Sequence, residues 1–508
     1  MNKLPGQLVL ELLNEYRATG TYLRDRIDQI AELTASGNGQ VAEAATRALF
    51  TRLVEPLADS FEPGAVSLYN RAMAQVIQAC RTDPRASLLD QELNRLGFQR
   101  EEDLLARADR LRNVQVRSSL LQRREYIKRV IVLSRVTLGA DVAITSVIIQ
   151  RMKQGFPGAD IVLLGGSKAV ELFGGDSGVQ FEEISYRRAG NTIERLLTWV
   201  DLLRCISELT DGLTQQEYLI VDPDSRLTQL GLLPVGASQS GRETAAGGIP
   251  AQDQEYLFFP SREYGTDTVR SLGELACSWL DAVFDERVQT FPCVSLRSAD
   301  VTAARKLLGR SSRGLRPIIS INFGVGENQL KRVGGEFEAT LVSRLIQGGA
   351  SIILDKGAGD TENARADVVI AEARRVERSG NPARVVELDE QSLVNVHEAG
   401  CLDAEMLVWN GRIGVLAALI GESDQYIGYD SAGQHIAAAL GVKCIDVFAG
   451  FSSPRMLDRW RPTGRAETRI VTVDTVGGGF RPSEVVEWVV SNSEAMLRGR
   501  DKGGKEEN

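Results

Sequence analysis

Several kinds of residue and segment are scarce in this chain, and each scarcity narrows what it can do. There are two histidines in 508 residues, His397 and His435, so a multi-histidine metal centre is excluded by arithmetic. The six cysteines (Cys80, Cys205, Cys277, Cys293, Cys401 and Cys444) lie far apart and form no Cys-x-x-Cys pair. That usage fits reduced thiols in a cytoplasm better than a disulfide framework or a zinc site. No window approaches the roughly 20 apolar residues that a membrane span needs. The opening Met1-Asn2-Lys3-Leu4-Pro5, with Glu11, Glu15 and Arg17 behind it, is too polar for the apolar segment of a secretory signal. Positive charge is also in deficit: 59 Lys and Arg against 68 Asp and Glu leave a formal net charge of -9. An acidic chain lacks the broad basic face that a nucleic-acid backbone requires, while a local basic pocket for a small phosphate ligand stays compatible with it.

What is present is a globular balance of 43% hydrophobic and 25% charged residues. At roughly 150 residues per domain, the length suggests about three domains. Residues 1–124 read as helices. Leu23, Ile27, Ile30 and Leu33 make one apolar stripe and Ala44, Leu49, Leu53 and Leu57 a second, with turns at Gly37-Asn38-Gly39 and Glu62-Pro63-Gly64. No catalytic constellation occurs there. The expectation is packing or a surface for a protein partner, joined to the next domain through an arginine-rich stretch from Arg107 to Arg124.

From Ile127 the pattern changes. Val130-Ile131-Val132-Leu133 is a continuous β-branched run, as in a parallel strand buried on both faces. A polar turn over Ser134 to Asp141, a helical stripe (Ile144, Val147, Ile148, Met152) and a second apolar run, Ile161 to Leu164, complete a βαβ unit. Tyr218 to Val221 is a further strand. Gly236 to Gln254 has the composition of a flexible loop, and order resumes at Tyr256. A second series starts near Arg316-Pro317, with strands at Ile318–Ile321, Ser351–Leu354, Tyr426–Tyr429 and Lys443–Phe448 and helices at Phe337–Leu345 and His435–Leu440. Two βα series predict an α/β chain with two Rossmann-like domains facing each other, residues 125–312 and 313–498. An all-α segment precedes them and a charged, disordered tail, 499–508, follows.

Four segments carry chemistry-bearing residues. In Tyr429-Asp430-Ser431-Ala432-Gly433-Gln434-His435 a strand hands over to a helix, so free amides at Ser431, Ala432 and Gly433 suit an anion; a capped helix start with a satisfied His435 explains the same residues. In Ile321 through Lys331-Arg332 a glycine-bearing loop closes on two cations, which fits a diphosphate or an ordinary solvated loop. Asp141, in Ser134-Arg135-Val136-Thr137-Leu138-Gly139-Ala140-Asp141, suits either a helix cap or a general base. In Leu354 through Glu362, Asp360 or Glu362 is placed to accept from ribose hydroxyls or to cap a helix.

In their joint order, from Ile127 to Gly464, these segments resemble the ADP-heptose–lipopolysaccharide heptosyltransferases of glycosyltransferase family 9, which have the GT-B fold. Val132 to Asp141 looks like the family's strand-Arg-x-x-x-Gly-Asp start, with Ala140 inserted before the aspartate. Gly324 to Arg332 is similar to its glycine-then-Lys-Arg-Trp stretch, with Val333 in place of the tryptophan. Asp430-Ser431 with His435 resembles its Asp-Ser/Thr-Gly-x-x-His-x-Ala-Ala block, with Ala432 at the usual glycine. Phe448-Ala449-Gly450 and Ser453-Pro454 extend that match.

The resemblance implies a cytoplasmic, metal-free, inverting transfer of a sugar, heptose by analogy, from an ADP-linked donor to a glycan or lipopolysaccharide-type hydroxyl. Peripheral contact with the inner membrane is compatible with such an acceptor. It places Asp141 as base and Lys331, Arg332, Glu362, Asp430, Ser431, Ala432, Gly433 and His435 around the donor, with no further cofactor. A nucleotide-sugar epimerase on the same fold is one rival. A binding or scaffold protein that lost the chemistry, suggested by Ala140, Val333 and Ala432, is the other.

Overall fold

The computed structural model describes the chain apart from residues 1–3, 114–119, 121–122, 177, 189, 237–254, 310–315, 327, 379, 396–403, 452, 476–478 and 499–508. The expected flexible loop up to Gln254, the expected tail, His397, Cys401 and much of the arginine-rich connection therefore lie outside the described residues. Two compact units make up the chain. One comprises Met1–Val136, Ile148–Ser167 and Gly178–Thr290; the other comprises Thr137–Val147, Lys168–Ser177 and Phe291–Asn508.

The first unit opens with helices, and their local causes are visible. Asn38 accepts from the amides of Gln40 (3.1 Å) and Val41 (3.4 Å) and so starts helix Gly39–Leu49. Ile27 and Ile30 of helix Arg24–Thr34 are buried, as their spacing predicts. Ala44 is a correction: it is exposed, and Ala42 and Ala45 face inward instead, while Leu49 is buried as expected. These helices do not enclose a core of their own. Leu12, Ile30, Leu53 and Met73 join Leu133, Trp199, Ile220 and Tyr256 in one continuous apolar cluster, so the helical segment and the first sheet share a core.

That sheet contains β1 (Arg129–Leu133), β2 (Asp160–Gly165), β3 (Gln180–Glu183), β4 (Tyr218–Asp222) and β5 (Tyr256–Phe258), in the order β3-β2-β1-β4-β5. Every neighbouring pair is parallel, which is the doubly wound arrangement expected from the buried apolar runs.

The second unit holds β6 (Ile318–Asn322), β7 (Ser351–Asp355), a short antiparallel pair β8 (Glu377–Arg378) and β9 (Asn381–Pro382), β10 (Val385–Asp389), β11 (Met406–Asn410), β12 (Gln425–Tyr429), β13 (Lys443–Ala449) and β14 (Thr468–Val473). Its seven-stranded parallel sheet has the order β10-β11-β7-β6-β12-β13-β14. Side chains alternate across it. Ile321, Leu354, Tyr429, Ile445 and Val447 enter a core shared with helices Phe337–Gln347 and Pro482–Arg498. On the opposite face stand Asn322, Tyr426, Gly428 and Asp446, with Gly428 paired to both Asn322 and Asp446. From β6 the sheet extends through β7 to β11 and β10 on one side, and β12, β13 and β14 follow on the other. The carboxyl ends of β6 and β12 thus form the switch point where α/β sheets open a crevice.

Candidate functional site

Two loops meet at this switch point. The loop after β6 ends in a single 3-10 turn, Gln329–Lys331, started by Asn328, whose side chain accepts from the Leu330 amide at 3.1 Å. The loop after β12 is two residues long, Asp430 and Ser431, and opens helix Ala432–Ala439. Lys331 Nζ donates to Asp430 Oδ2 at 2.5 Å, and Asp430 Oδ1 accepts from Gln434 Nε2 at 2.8 Å. Ser431 holds the N-cap position, yet its hydroxyl makes no capping bond and lies 3.5 Å from Asn322 Oδ1. The first-turn amides of the helix therefore have no side-chain cap among the described residues, and a lysine ammonium stands beside them. Together they suit an anion.

Gly433 answers to the layer beneath the helix. A Cβ there would lie 2.1 Å from Tyr426 Oη, so glycine is demanded by the sheet face rather than by a ligand. His435 is buried, with its ring edge-on to Trp460 at 6.1 Å between centroids. Burial pushes its imidazole down to about 4; the Asp430 carboxylate opposes that shift and the Lys331 charge adds to it.

Asp141 is not the helix cap. The turn after β1 is shorter than expected: Thr137 is the N-cap and the helix begins at Leu138. Asp141 is the first residue of a π-turn, Asp141–Thr145, in which the Ser146 amide reaches back five residues to the Asp141 carbonyl. A π-turn absorbs one residue more than an α-turn, and here it follows directly on Ala140. The Asp141 side chain is 2% exposed and accepts from Thr145 Oγ1 at 2.9 Å, so it is neither a cap nor open to solvent. The segment nevertheless reaches the candidate site. A Cβ on Gly139 would lie 3.1 Å from His435 Cδ2 and 3.2 Å from Ala432 Cα.

A second cluster lies at the ends of β6 and β7. Asn322 donates to Asp355 Oδ2 through a short hydrogen bond, and Gly357 N donates to Asp355 Oδ1 at 3.1 Å. Burial raises the Asp355 carboxyl to about 6, against these hydrogen bonds. Glu362 accepts from Ala358 N at 2.9 Å, and its Oε1 lies 3.2 Å from where a Gly324 Cβ would stand. Gly324, Asp355, Gly357, Glu362 and Arg365 line a shallow, open pocket. Glu362 belongs to it and Asp360 does not. Arg332 lines the same pocket, but its guanidinium is held by Glu338 at 2.6 Å and by Gln329 at 3.1 Å.

Asn322, Asp355 and Asp446 were missed by motif reading. Asp446 is fully buried, both its oxygens lack a hydrogen-bond partner among the described residues, and burial together with the Asp430 charge pushes its carboxyl well above the usual range. A signal existed: it is the lone acid in the apolar run Cys444-Ile445-Asp446-Val447-Phe448.

No family model matches the sequence, and no curated protein matches it. Solved structures do. A family 9 glycosyl transferase from Veillonella parvula superimposes with a TM-score of 0.50 at 15% identity, covering 73% of this chain and 98% of that one. ADP-heptose lps heptosyltransferase II of E. coli gives 0.45 at 14% identity, covering 73% and 99%. An E. coli heptosyltransferase with ADP gives 0.43 at 12%, covering 72% and 99%. Among the described residues no helix is long and apolar enough to cross a membrane. The chain has the fold of a family 9 glycosyl transferase.

Proposed function

We propose that this chain binds a nucleotide sugar at the switch point of its second sheet and transfers the sugar, with inversion, to a hydroxyl of a glycan. One observation carries the reading: Lys331 and the uncapped start of helix Ala432–Ala439 converge where β6 and β12 part. On this reading Lys331, with the amides of Ala432 and Gly433, faces the diphosphate, and Glu362 faces the ribose across the Gly324 loop. Charge grows on the diphosphate as the glycosidic bond breaks, so fixed donors aimed there lower the barrier. Asp430 is the present partner of Lys331, and a diphosphate takes its place or shares the ammonium with it. Asp141 is the base, and the acceptor hydroxyl must replace the Thr145 hydroxyl at Oδ1 to give up its proton. An ADP-linked heptose donor and a lipopolysaccharide-type acceptor follow from the sequence resemblance.

A second reading, a nucleotide-binding protein without transfer, is favoured by the burial of Asp141. Two measurements separate these cases. A screen of ADP, UDP, GDP and their sugars by thermal shift should find a ligand that, at a hundred times its dissociation constant, adds about 2.7 kcal/mol of stability. Mass spectrometry of donor with a glycan acceptor should then show a sugar added. Nucleotide binding without any transfer favours the second reading, turnover of donor alone to an isomer points to an epimerase, and failure of every nucleotide to stabilise the chain removes the proposal.

A further inference from the structure

Beneath the helix start in the second unit lies a tyrosine that the transfer reading does not use. Tyr426, on β12, is fully buried, and its Oη has no hydrogen-bond partner among the described residues. Two glycines on different elements make room for that one atom. A Cβ on Gly428 would stand 2.3 Å from Tyr426 Oη, and a Cβ on Gly433 would stand 2.1 Å from it. The phenol oxygen is thus held between strand β12 and the first turn of helix Ala432–Ala439. A buried hydroxyl left unbonded carries a desolvation cost, so one delivered there by two glycines calls for an explanation. Burial, Cys444 and Asp446 push the phenol well above its ordinary range, and the Ser431 hydroxyl beside it acts the other way. Tyr426 therefore keeps its proton and has it to donate.

Ser431 is the matching acceptor. Its hydroxyl makes no capping bond and lies 3.5 Å from Asn322 Oδ1. The Asn322 carboxamide cannot turn over, because Nδ2 donates to Asp355 and Oδ1 accepts from Gly324 N at 2.9 Å. Asn322 thus offers Ser431 only an acceptor, so the Ser431 proton points to Oδ1 and its oxygen stays open to a donor. At 3.5 Å that bond is weak, and an anion at the uncapped turn takes the hydroxyl over at little cost. We infer that Tyr426 is a positioning residue for anion binding: its O–H donates to Ser431 Oγ and holds the Ser431 hydroxyl as a donor to a phosphate oxygen at the helix start. The inference rests on the nucleotide reading of that site and gives Ser431 its part in it. It also explains a serine that holds an N-cap position without capping. The phenol engages the oxygen that would otherwise accept from the helix amides, which leaves those amides for the ligand.

Calorimetry on the full chain, with inorganic pyrophosphate and ADP as probes, tests this alongside thermal melts. Tyr426→Phe should weaken binding of both probes about tenfold. Its melting temperature should be unchanged or higher, because Ser431 is then released to cap its own helix. Ser431→Ala should weaken binding by a similar factor. Adding Tyr426→Phe to Ser431→Ala should change affinity by less than about twofold, because the phenol acts through the serine. A tyrosine that only fills space would instead lower the melting temperature and weaken binding equally with and without Ser431→Ala. That pattern, or native affinity in Tyr426→Phe, would overturn the inference while the nucleotide reading stands. A native chain that binds neither probe removes that reading, and the inference with it.

Discussion

The Lys331 ammonium and the Asp430 carboxylate, 2.5 Å apart, tie the loop after β6 to the loop after β12 across the centre of a parallel sheet. The pair is more than a surface bridge, because Lys331 is 19% exposed, Asp430 6%, and the buried Asp446 feels both charges. Lys331→Ala leaves carboxyls without their cation and should cost about 2–3 kcal/mol in urea denaturation. It should also weaken ADP binding at least tenfold by calorimetry. Asp430→Asn releases the ammonium while its amide oxygen can still accept from Gln434, and should tighten ADP binding instead. Equal ADP affinity in both variants and the native chain would dissociate this lysine from phosphate.

Gly433 and Tyr426 make a packing prediction that is independent of any ligand. A methyl at 433 would stand 2.1 Å from the phenol oxygen and 2.7 Å from the ring carbon bearing it. Gly433→Ala should therefore destabilise by about 1–3 kcal/mol. Adding Tyr426→Phe removes the nearer atom and should return part of that loss. A double-mutant cycle that is strictly additive would show that the two positions do not meet.

Asp355 and His435 are shifted by the same cause, burial, with opposite consequences for pH. The folded Asp355 carboxyl lies near 6, above its ordinary 3.8, so its contribution to stability is complete below 3.8 and is lost as pH rises through 6. The folded His435 lies near 4, below its ordinary 6.5, so its contribution is complete above 6.5 and is lost as pH falls through 4. Asp355→Asn should gain on the native chain by about 1–3 kcal/mol above pH 6, and the gain should vanish toward pH 4. His435→Gln should lose most above pH 6.5, with the deficit shrinking on acidification. Denaturation midpoints at roughly pH 4.5 and pH 8 decide both signs.

Asp141→Asn tests the assignment of the base. A general base contributes roughly 10²–10⁴ in rate, so turnover should fall by that much while ADP affinity stays within about twofold. Native turnover in this variant would leave Asp141 as a structural residue bonded to Thr145.

The parallel strands at the centre of each sheet were legible as short apolar runs, because a strand buried on both faces has no polar side to show. β10 and β14 were not, since their side chains are only partly buried and the runs are broken by charge, as in Val385-Val386-Glu387-Leu388-Asp389. The motif residues after β6 and β12 were legible as glycine and N-cap types at strand ends. Asn322, Asp355 and Asp446 were hidden because their significance comes from neighbours on other strands, 33 residues away in the case of Asn322 and Asp355.

Local order along the chain determined the central strands, most helices and where loops rich in glycine and charge fall, because each depends on residues within one or two turns of each other, and the alternation of strand and helix implied parallel sheets. Tertiary structure alone decided what those residues touch. It turned Gly433 toward Tyr426, engaged Arg332 with Glu338, enclosed Asp141 within a helix, and joined the N-terminal helices to the first sheet. Burial and pairing energies belong to groups brought together from distant parts of the chain, so no window of sequence contains them.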